Sequence, residues 1–388
     1  MIPLMKNAFS NEVDTCQKLS QFIASVPKLS MGDKCEQFER EFAKYQERKY
    51  CILVNSGGSA NLLLIQTLKN MGKIKKHAKV GFSSLTWSTN VMPIIQQGLI
   101  PIPIDCSIKT LNVMSDELEK TIKNHHIDVF FSTNVLGFMG DLYAIKRICE
   151  ENNVLYIEDN CEALGSESNA IKAGNFGLAS TFSFFVAHHQ SSIEGGIIAT
   201  DDEELAMNLT LSRANGWDRN LPADKQELLR KNNNIKSEFH SKYIFYDLGF
   251  NFRPTEITGF LGLNQLVYLK SNLKIRENNY KEIDAVIKNN DELASINTNY
   301  YDFIPAFSTP IVAKTKELRD KYFERFKDNV EIRPIIAGNI TNQPFWNKYV
   351  NANYDLPGTD FIDQNGFYFT NDPALKRKEI DLIKDLLR

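Results

Sequence analysis

The sequence predicts an α/β protein: a large domain built on a mostly parallel, mixed sheet flanked by helices, then a smaller α+β C-terminal domain. Three observations predict it. Short apolar runs alternate with longer amphipathic stretches through the first two thirds of the 388 residues. Each run ends in polar or Gly-bearing punctuation, after which a helical pattern begins. Nearer the C-terminus, two further apolar runs flank one more helical stretch.

In chain order, Tyr50-Cys51-Ile52-Leu53-Val54 is the first of these strands, and the apolar helix Leu62-Leu63-Leu64-Ile65 follows it. Val129-Phe130-Phe131-Ser132 and Val154-Leu155-Tyr156-Ile157 repeat the rhythm. The polar stretch from Asn220 to Tyr246, rich in Lys and Asn, reads as a loop. A helical pattern resumes around Leu261–Leu266 and runs toward Arg276. Beyond it, Thr309–Ala313 and Val330–Pro334 read as strands on either side of a helix from Glu317 to Phe326. The expected division is a large domain over 1–270, with an N-terminal arm over 1–30, and a small domain over 271–388. Ligands of such sheets bind beyond the carboxyl ends of the strands.

Composition excludes several classes of function. A formal net charge of -3 gives no pull toward nucleic acid or an anionic membrane surface. No apolar run is long enough to cross a membrane. Met1–Asn7 lacks the apolar core of a secretory leader. The six cysteines form no C-x-x-C pair and no spacing typical of a metal site. The expectation is a cytoplasmic protein with free thiols and no metal.

Three segments could carry chemistry. Ser56-Gly57-Gly58-Ser59 lies between a buried strand and a helix. A helix start offers free N–H groups and a positive dipole end, which suit a phosphate, although most such turns are plain caps. Asp159 and Glu162 lie just past the strand ending at Ile157, where an Asp also caps helices well. The third segment is Ser183-Phe184-Phe185-Val186-Ala187-His188-His189-Gln190-Ser191-Ser192-Ile193-Glu194-Gly195-Gly196.

That third segment resembles the S-F-x-x-x-K-x5-E-G-G stretch of the DegT/DnrJ/StrS-type sugar aminotransferases, a fold-type I family dependent on pyridoxal phosphate (PLP). In the family, the lysine holds PLP as a Schiff base. Counting forward from Ser183 and backward from Glu194-Gly195-Gly196 both place His188 on the lysine position. An imidazole moves protons but cannot form that bond. The chain therefore resembles the His-for-Lys subgroup, the sugar 3-dehydratases.

The resemblance implies a fold-type I PLP-dependent aminotransferase-like architecture and PLP or pyridoxamine phosphate (PMP) held without a covalent link. It implies that Gly57, Gly58, Ser59 and Ser183 hold the phosphate, although relatives commonly carry a hydroxyl residue where Gly58 stands. Asp159 would pair with the ring nitrogen and Trp87 would stack on the ring. Glu162, where most of the family has glutamine, would reach the ring hydroxyl. Gly249-Phe250-Asn251-Phe252-Arg253 resembles G-Y-N-Y-R, whose asparagine reaches the partner subunit's phosphate in a homodimer. A plain alternative has Asn251 capping the helix that starts near Thr255. Lys28, Leu29, Ser30, Arg219 and Arg333 fall on substrate-contacting positions, and Asn215 stands where the dehydratases have histidine.

The activity implied is loss of the C3 hydroxyl from a nucleotide-linked 4-keto-6-deoxy sugar, GDP-linked mannose or a heptose. His188 would act as base and then acid, glutamate would restore PMP, and ammonia would be released. A 4-aminotransferase would need a lysine, which the segment lacks. A non-catalytic sugar-binding member would have lost the cofactor contacts, which are present. A cysteine-held iron–sulfur cluster has no suitable cysteines here. His189 is expected to face away from His188, and His77, His125, His126 and His240 to face solvent.

Overall fold

The structure, a computed structural model, describes residues 1–388. Seven strands form the main sheet: β1 (Tyr50–Val54), β2 (Lys79–Ser83), β3 (Ile100–Ile104), β4 (Val129–Thr133), β5 (Leu155–Asp159), β8 (Ala179–Ser183) and β9 (Gly196–Thr200). Between β5 and β8 lies a small ribbon of β6 (Glu167–Ser168) and β7 (Ile171–Lys172). The spatial order is β1-β9-β8-β5-β4-β2-β3, and only β9 runs antiparallel to its neighbours. β9 follows β8 through a turn with no helix, and a return of that kind makes an antiparallel pair. The other six strands therefore end on one edge, where β9 begins. Gly196 sits at that edge because a Cβ there would collide with the Ser56 backbone.

Strand alternation explains the layers. Ile52 and Val54 of β1 pack into a core shared with Leu63, Leu64 and Leu68 of the helix Gly57–Asn70. Cys51 and Leu53 point the other way, into a core with Phe38, Phe42 and Leu273. On β4, Val129 and Phe131 take the first side, and Phe130 joins a third cluster with Tyr156 and Ile104. Both faces of the sheet are thus covered, as a mostly parallel sheet requires.

A second sheet, in the order β10 (Ser308–Val312), β12 (Gly366–Thr370), β11 (Ile332–Arg333), belongs to the C-terminal lobe. The helix Glu256–Lys288 runs unbroken through residue 270. Its Leu261, Leu269 and Leu273 are buried on the large lobe's side, and Ile283 and Ile287 join the core of the C-terminal lobe. Thr255 caps this helix by accepting the Thr258 N–H.

The structure corrects the sequence reading in five places. The helix after β1 begins at Gly57, so the glycines form its first turn. Ser56 supplies the cap through the Ser59 N–H, which made a helix look like a loop. The polar stretch from Asn220 to Tyr246 holds two helices, Ala223–Asn232 and Glu238–Ser241. No residue of the first is buried, so it has no apolar face for a periodicity to reveal. β5 extends to Asp159, and the Val330–Pro334 strand shrinks to Ile332–Arg333. The cap of the long helix is Thr255 and not Asn251.

Candidate active site

Four strand ends bring the candidate cofactor residues together. β1 leads into the first turn of Gly57–Asn70, where the Gly57 and Gly58 N–H groups open an anion site backed by the helix dipole. β8 ends at Ser183 beside that turn, and a Cβ on Gly57 would come within 2.6 Å of the Ser183 Cβ. Only glycine allows the two to touch. A hydroxyl residue at Gly58 would place its Cβ 3.0 Å from Thr89 Cγ2. The space is filled from another direction here, which accounts for the glycine. Ser59 is tied to Ser56 by a hydroxyl–hydroxyl bond of 3.0 Å.

β5 delivers Asp159, which is 4 % exposed. Its Oδ2 accepts hydrogen bonds from Asn61 Nδ2 and Asn90 Nδ2, both at 2.8 Å, and its Oδ1 accepts the Cys161 N–H at 2.8 Å. Thr181 donates to Asn61 Oδ1 at 2.6 Å, which turns the Asn61 amide nitrogen toward the carboxylate. Asp159 is therefore a buried carboxylate among neutral donors, and a bound ring cation would complete it. Asn61 and Asn90 carried no assigned role in the sequence. Asn61 lies four residues after Gly57, one helical turn on the same face, and that spacing was the available signal. Asn90 had none.

Trp87 precedes the helix Ser88–Gln96, one turn before Asn90, and is 55 % exposed. A large aromatic left this open at the edge of the site is suited to stacking on a bound ring. Glu162 sits beyond β5, and its Oε2 accepts the Leu136 N–H at 2.8 Å. Burial pushes its carboxyl up to about 8, opposed by the Leu136 N–H and reinforced by Asp159. At neutral pH it holds a proton, so it can donate a hydrogen bond where glutamine would. Tyr368 of β12 lies between Glu162 and Arg333, and its hydroxyl is pushed up to about 12 by burial and by Glu162. Nothing beside it in the chain marks it.

His188 stands in the turn joining β8 to β9. The turn is closed by Phe184 N–H to Gly195 O at 2.9 Å, Val186 N–H to Ile193 O at 3.0 Å and His188 N–H to Phe185 O at 2.9 Å. The His188 Nδ1 lies 3.3 Å from the Ser183 carbonyl. With Nδ1–H donating there, Nε2 keeps its lone pair. Burial lowers the imidazole to about 4; the Ser183 carbonyl and Asp159 oppose the shift and Arg276 adds to it. The ring is neutral at physiological pH, ready to take a proton. His189 points elsewhere, as expected: it is buried, and its Nε2 bonds the Pro305 carbonyl at 2.8 Å. His77, His126 and His240 are exposed; His125 is half-buried against Tyr354, contrary to the expectation.

The candidate substrate residues fall into two places: Arg333 lies by Tyr368 and Glu162, and the others lie elsewhere in the chain. Asn215, in a left-handed turn, bonds the Phe250 carbonyl through its N–H at 2.9 Å, and Ala214 bridges Asn251. Asn251 is exposed and its Oδ1 accepts from Arg253 at 3.0 Å. Ser30 bridges Thr255, which brings Lys28-Leu29-Ser30 to the same face. Arg219 is exposed, with its guanidinium 5.2 Å from the Trp217 ring centre. Arg333, on β11, pairs with Glu331 at 2.9 Å.

A phosphate cradle and, on the strand next to β8, a carboxylate awaiting a ring cation are what a vitamin B6 coenzyme asks of a protein. Set on this sheet, they define an aminotransferase-fold protein whose central position carries imidazole instead of an amine. The chain belongs to the DegT/DnrJ/EryC1/StrS aminotransferase family, whose profile matches residues 11–388. It is 33% identical over 380 residues to GDP-4-keto-6-deoxy-D-mannose 3-dehydratase of Yersinia pseudotuberculosis, covering 95% of this chain and 94% of the relative. The enzyme of that name from Escherichia coli O55:H7 is 31% identical, with 96% of each chain covered. Among solved structures, E. coli GDP-4-keto-6-deoxy-D-mannose-3-dehydratase with bound hydrated PLP superposes with a TM-score of 0.91 at 29% identity, over 100% of this chain and 99% of that one. A GDP-4-keto-6-deoxymannose-3-dehydratase with a trapped PLP-glutamate geminal diamine superposes at 0.90, also 29% identical, over 100% of both chains.

Proposed function

We propose that the protein is a coenzyme B6-dependent 3-dehydratase of a GDP-linked 4-keto-6-deoxy sugar, using L-glutamate as amino donor and releasing ammonia. The observation that carries this reading is His188: a neutral, buried imidazole in the turn beyond Ser183, in a chain with no lysine between Lys172 and Lys225. PMP, when bound, supplies an amine for the C4 carbonyl and a ring that accepts electrons. The chain's residues do the rest. Gly57, Gly58, Ser59 and Ser183 hold the phosphate. Asp159 keeps the ring nitrogen protonated, Trp87 covers the ring and Glu162 bonds its hydroxyl. His188 accepts a proton at Nε2 and delivers it to the departing C3 hydroxyl, and a dry site makes the imidazolium a strong acid for that second task. Arg219 and Arg333 suit a diphosphate, which a guanidinium can grip with two hydrogen bonds.

The proposed working unit is a homodimer in which Asn251, Lys28-Leu29-Ser30, Asn215 and Arg219 serve the partner's site. Supporting this, Ala214 bridges Asn251 and Trp217 bridges Phe245, which gathers Asn215, Arg219 and Asn251 with the exposed side chains of Tyr243, Phe245 and Leu248. The proposed functional division is a large cofactor-binding domain over 1–270 and a small domain over 271–388, joined by the helix Glu256–Lys288. No helix is long and apolar enough to cross a membrane, and all six cysteines are free. We place the protein in the cytoplasm.

The test is incubation with GDP-4-keto-6-deoxymannose, PMP and glutamate, followed by mass detection of a product lacking the C3 oxygen. Borohydride treatment of the PLP-loaded protein should leave every lysine peptide at its unmodified mass. A reduced PLP–lysine adduct, or an amino sugar as the only product, overturns the reading.

A pH effect follows from the two shifted groups. Glu162 is raised, so the folded protein holds more protons than the unfolded chain between its usual value of 4.5 and about 8, and stability falls as pH rises through that window. His188 is lowered from 6.5 to about 4, so stability falls as pH drops through that lower window. Above pH 6.5 only the Glu162 effect remains of the two. Glu162→Gln in the cofactor-free protein should be the more stable variant, with its advantage growing by up to about 2 kcal/mol between pH 6.5 and 8. Urea unfolding at the two pH values measures it, and a constant difference refutes it.

A further inference from the structure

We propose that Phe307, on the segment entering β10, is a positioning residue that holds the His188 imidazole in its working orientation. The inference rests on the dehydratase reading of the site. A single hydrogen bond of 3.3 Å, from Nδ1 to the Ser183 carbonyl, is the polar restraint on the ring. That bond is long and leaves rotation about the side chain weakly opposed. The stronger restraint is aromatic. Phe307 meets the imidazole with ring centres 5.4 Å apart and planes at 89°, and Phe185 meets it at 6.1 Å and 84°. Both contacts have the edge-to-face geometry that aromatic rings prefer.

The two clamps differ in how they are held. Phe185 is 42 % exposed and belongs to the same turn as His188, so it moves with that turn. Phe307 comes from the C-terminal lobe, and its backbone is fixed from several directions. Its N–H bonds the Leu136 carbonyl at 2.9 Å, and its carbonyl accepts from Arg276 Nη1 at 2.8 Å. The same Nη1 bonds Asn371 O at 2.9 Å, and the Asn371 amide bonds Ala306 O at 2.6 Å. His189 bonds the Pro305 carbonyl at 2.8 Å, which ties the segment to the catalytic turn. Gly137, at φ +94°, leaves room for the segment, since a Cβ there would lie 3.0 Å from Ala306 Cα. The C-terminal lobe thus reaches across to the base through one rigid strap. The charged groups acting on the imidazole are Asp159 from β5 and Arg276 from the long helix, with neutral His189 on its own turn.

The test compares Phe307→Leu, Phe307→Met and Phe307→Tyr. In cofactor-free protein, NMR titration of the His188 imidazole should find Leu and Met moved upward by at least one pH unit toward 6.5, with Tyr unmoved. With PMP, glutamate and the GDP-sugar, Leu and Met should lose 10- to 50-fold in kcat with KM within twofold, and Tyr should recover most of it. Parental titration and kcat in a folded Leu or Met variant overturn the proposal. So does a change confined to KM, which would make Phe307 a substrate contact. The NMR result needs no sugar, so a parent protein that dehydrates nothing would fail the functional reading, while the titration would still decide by itself whether Phe307 holds the ring.

Discussion

His188→Asn should abolish water loss while leaving the cofactor bound. Asparagine keeps a donor for the Ser183 carbonyl and brings no new charge, so the turn from Ser183 to Gly196 should hold its shape. It cannot accept a proton. A positioned general acid or base contributes about 10²- to 10⁴-fold, and His188 is proposed for both roles, so turnover should fall by about 10⁴ or more. PMP absorbance and affinity should stay within about threefold, because the proposed phosphate and ring contacts are those of Gly57, Gly58, Ser183 and Asp159. Single-turnover mass detection of the deoxy product is the measurement. A variant turning over within tenfold of the parent would remove His188 from the role given to it.

Asp159→Asn should be nearly as damaging, for a different reason. The carboxylate takes three neutral donors and is left to balance the ring cation. Asparagine removes the charge and turns one acceptor into a donor. Either the Asn61 and Asn90 amides or the Cys161 N–H then face an NH₂ group, and a buried donor left unpaired costs about 1–3 kcal/mol. Losing a preorganised charge at a reacting centre costs about 10²- to 10³-fold in kcat. The expected variant is folded but less stable, binds cofactor more weakly and turns over about 10³-fold more slowly. Its bound PLP should also lose the parent's ring-nitrogen protonation, read by absorbance against pH. Protonation and turnover like the parent's would show that the ring nitrogen is charged by some other group.

Much of this site lay open in the sequence because its parts are local. Gly57-Gly58-Ser59, Asp159, Ser183 and His188 sit at strand ends, and strands announce themselves through the spacing of apolar residues along a few positions. The missing lysine is legible by counting along one segment. Tyr368 and Phe307 stayed hidden. They reach the site from elements tens to hundreds of residues away, and nothing in their own neighbourhoods marks them. The helix Ala223–Asn232 was missed for another reason: it buries nothing and so shows no apolar stripe.

The sequence by itself determined the α/β class, the strand ends that carry the site and the exchange of an amine for an imidazole, since backbone periodicity and covalent identity are properties of neighbouring residues. The tertiary structure decided what those groups are. The neutral state of His188, the proton kept by Glu162 and the three donors around Asp159 depend on which distant side chains exclude water. It also decided that Ser30 bridges Thr255 and that Ala214 bridges Asn251, contacts between segments distant in the chain. Solvation and charge are set by everything packed within a few ångströms, and that shell is assembled from all parts of the chain only when it folds.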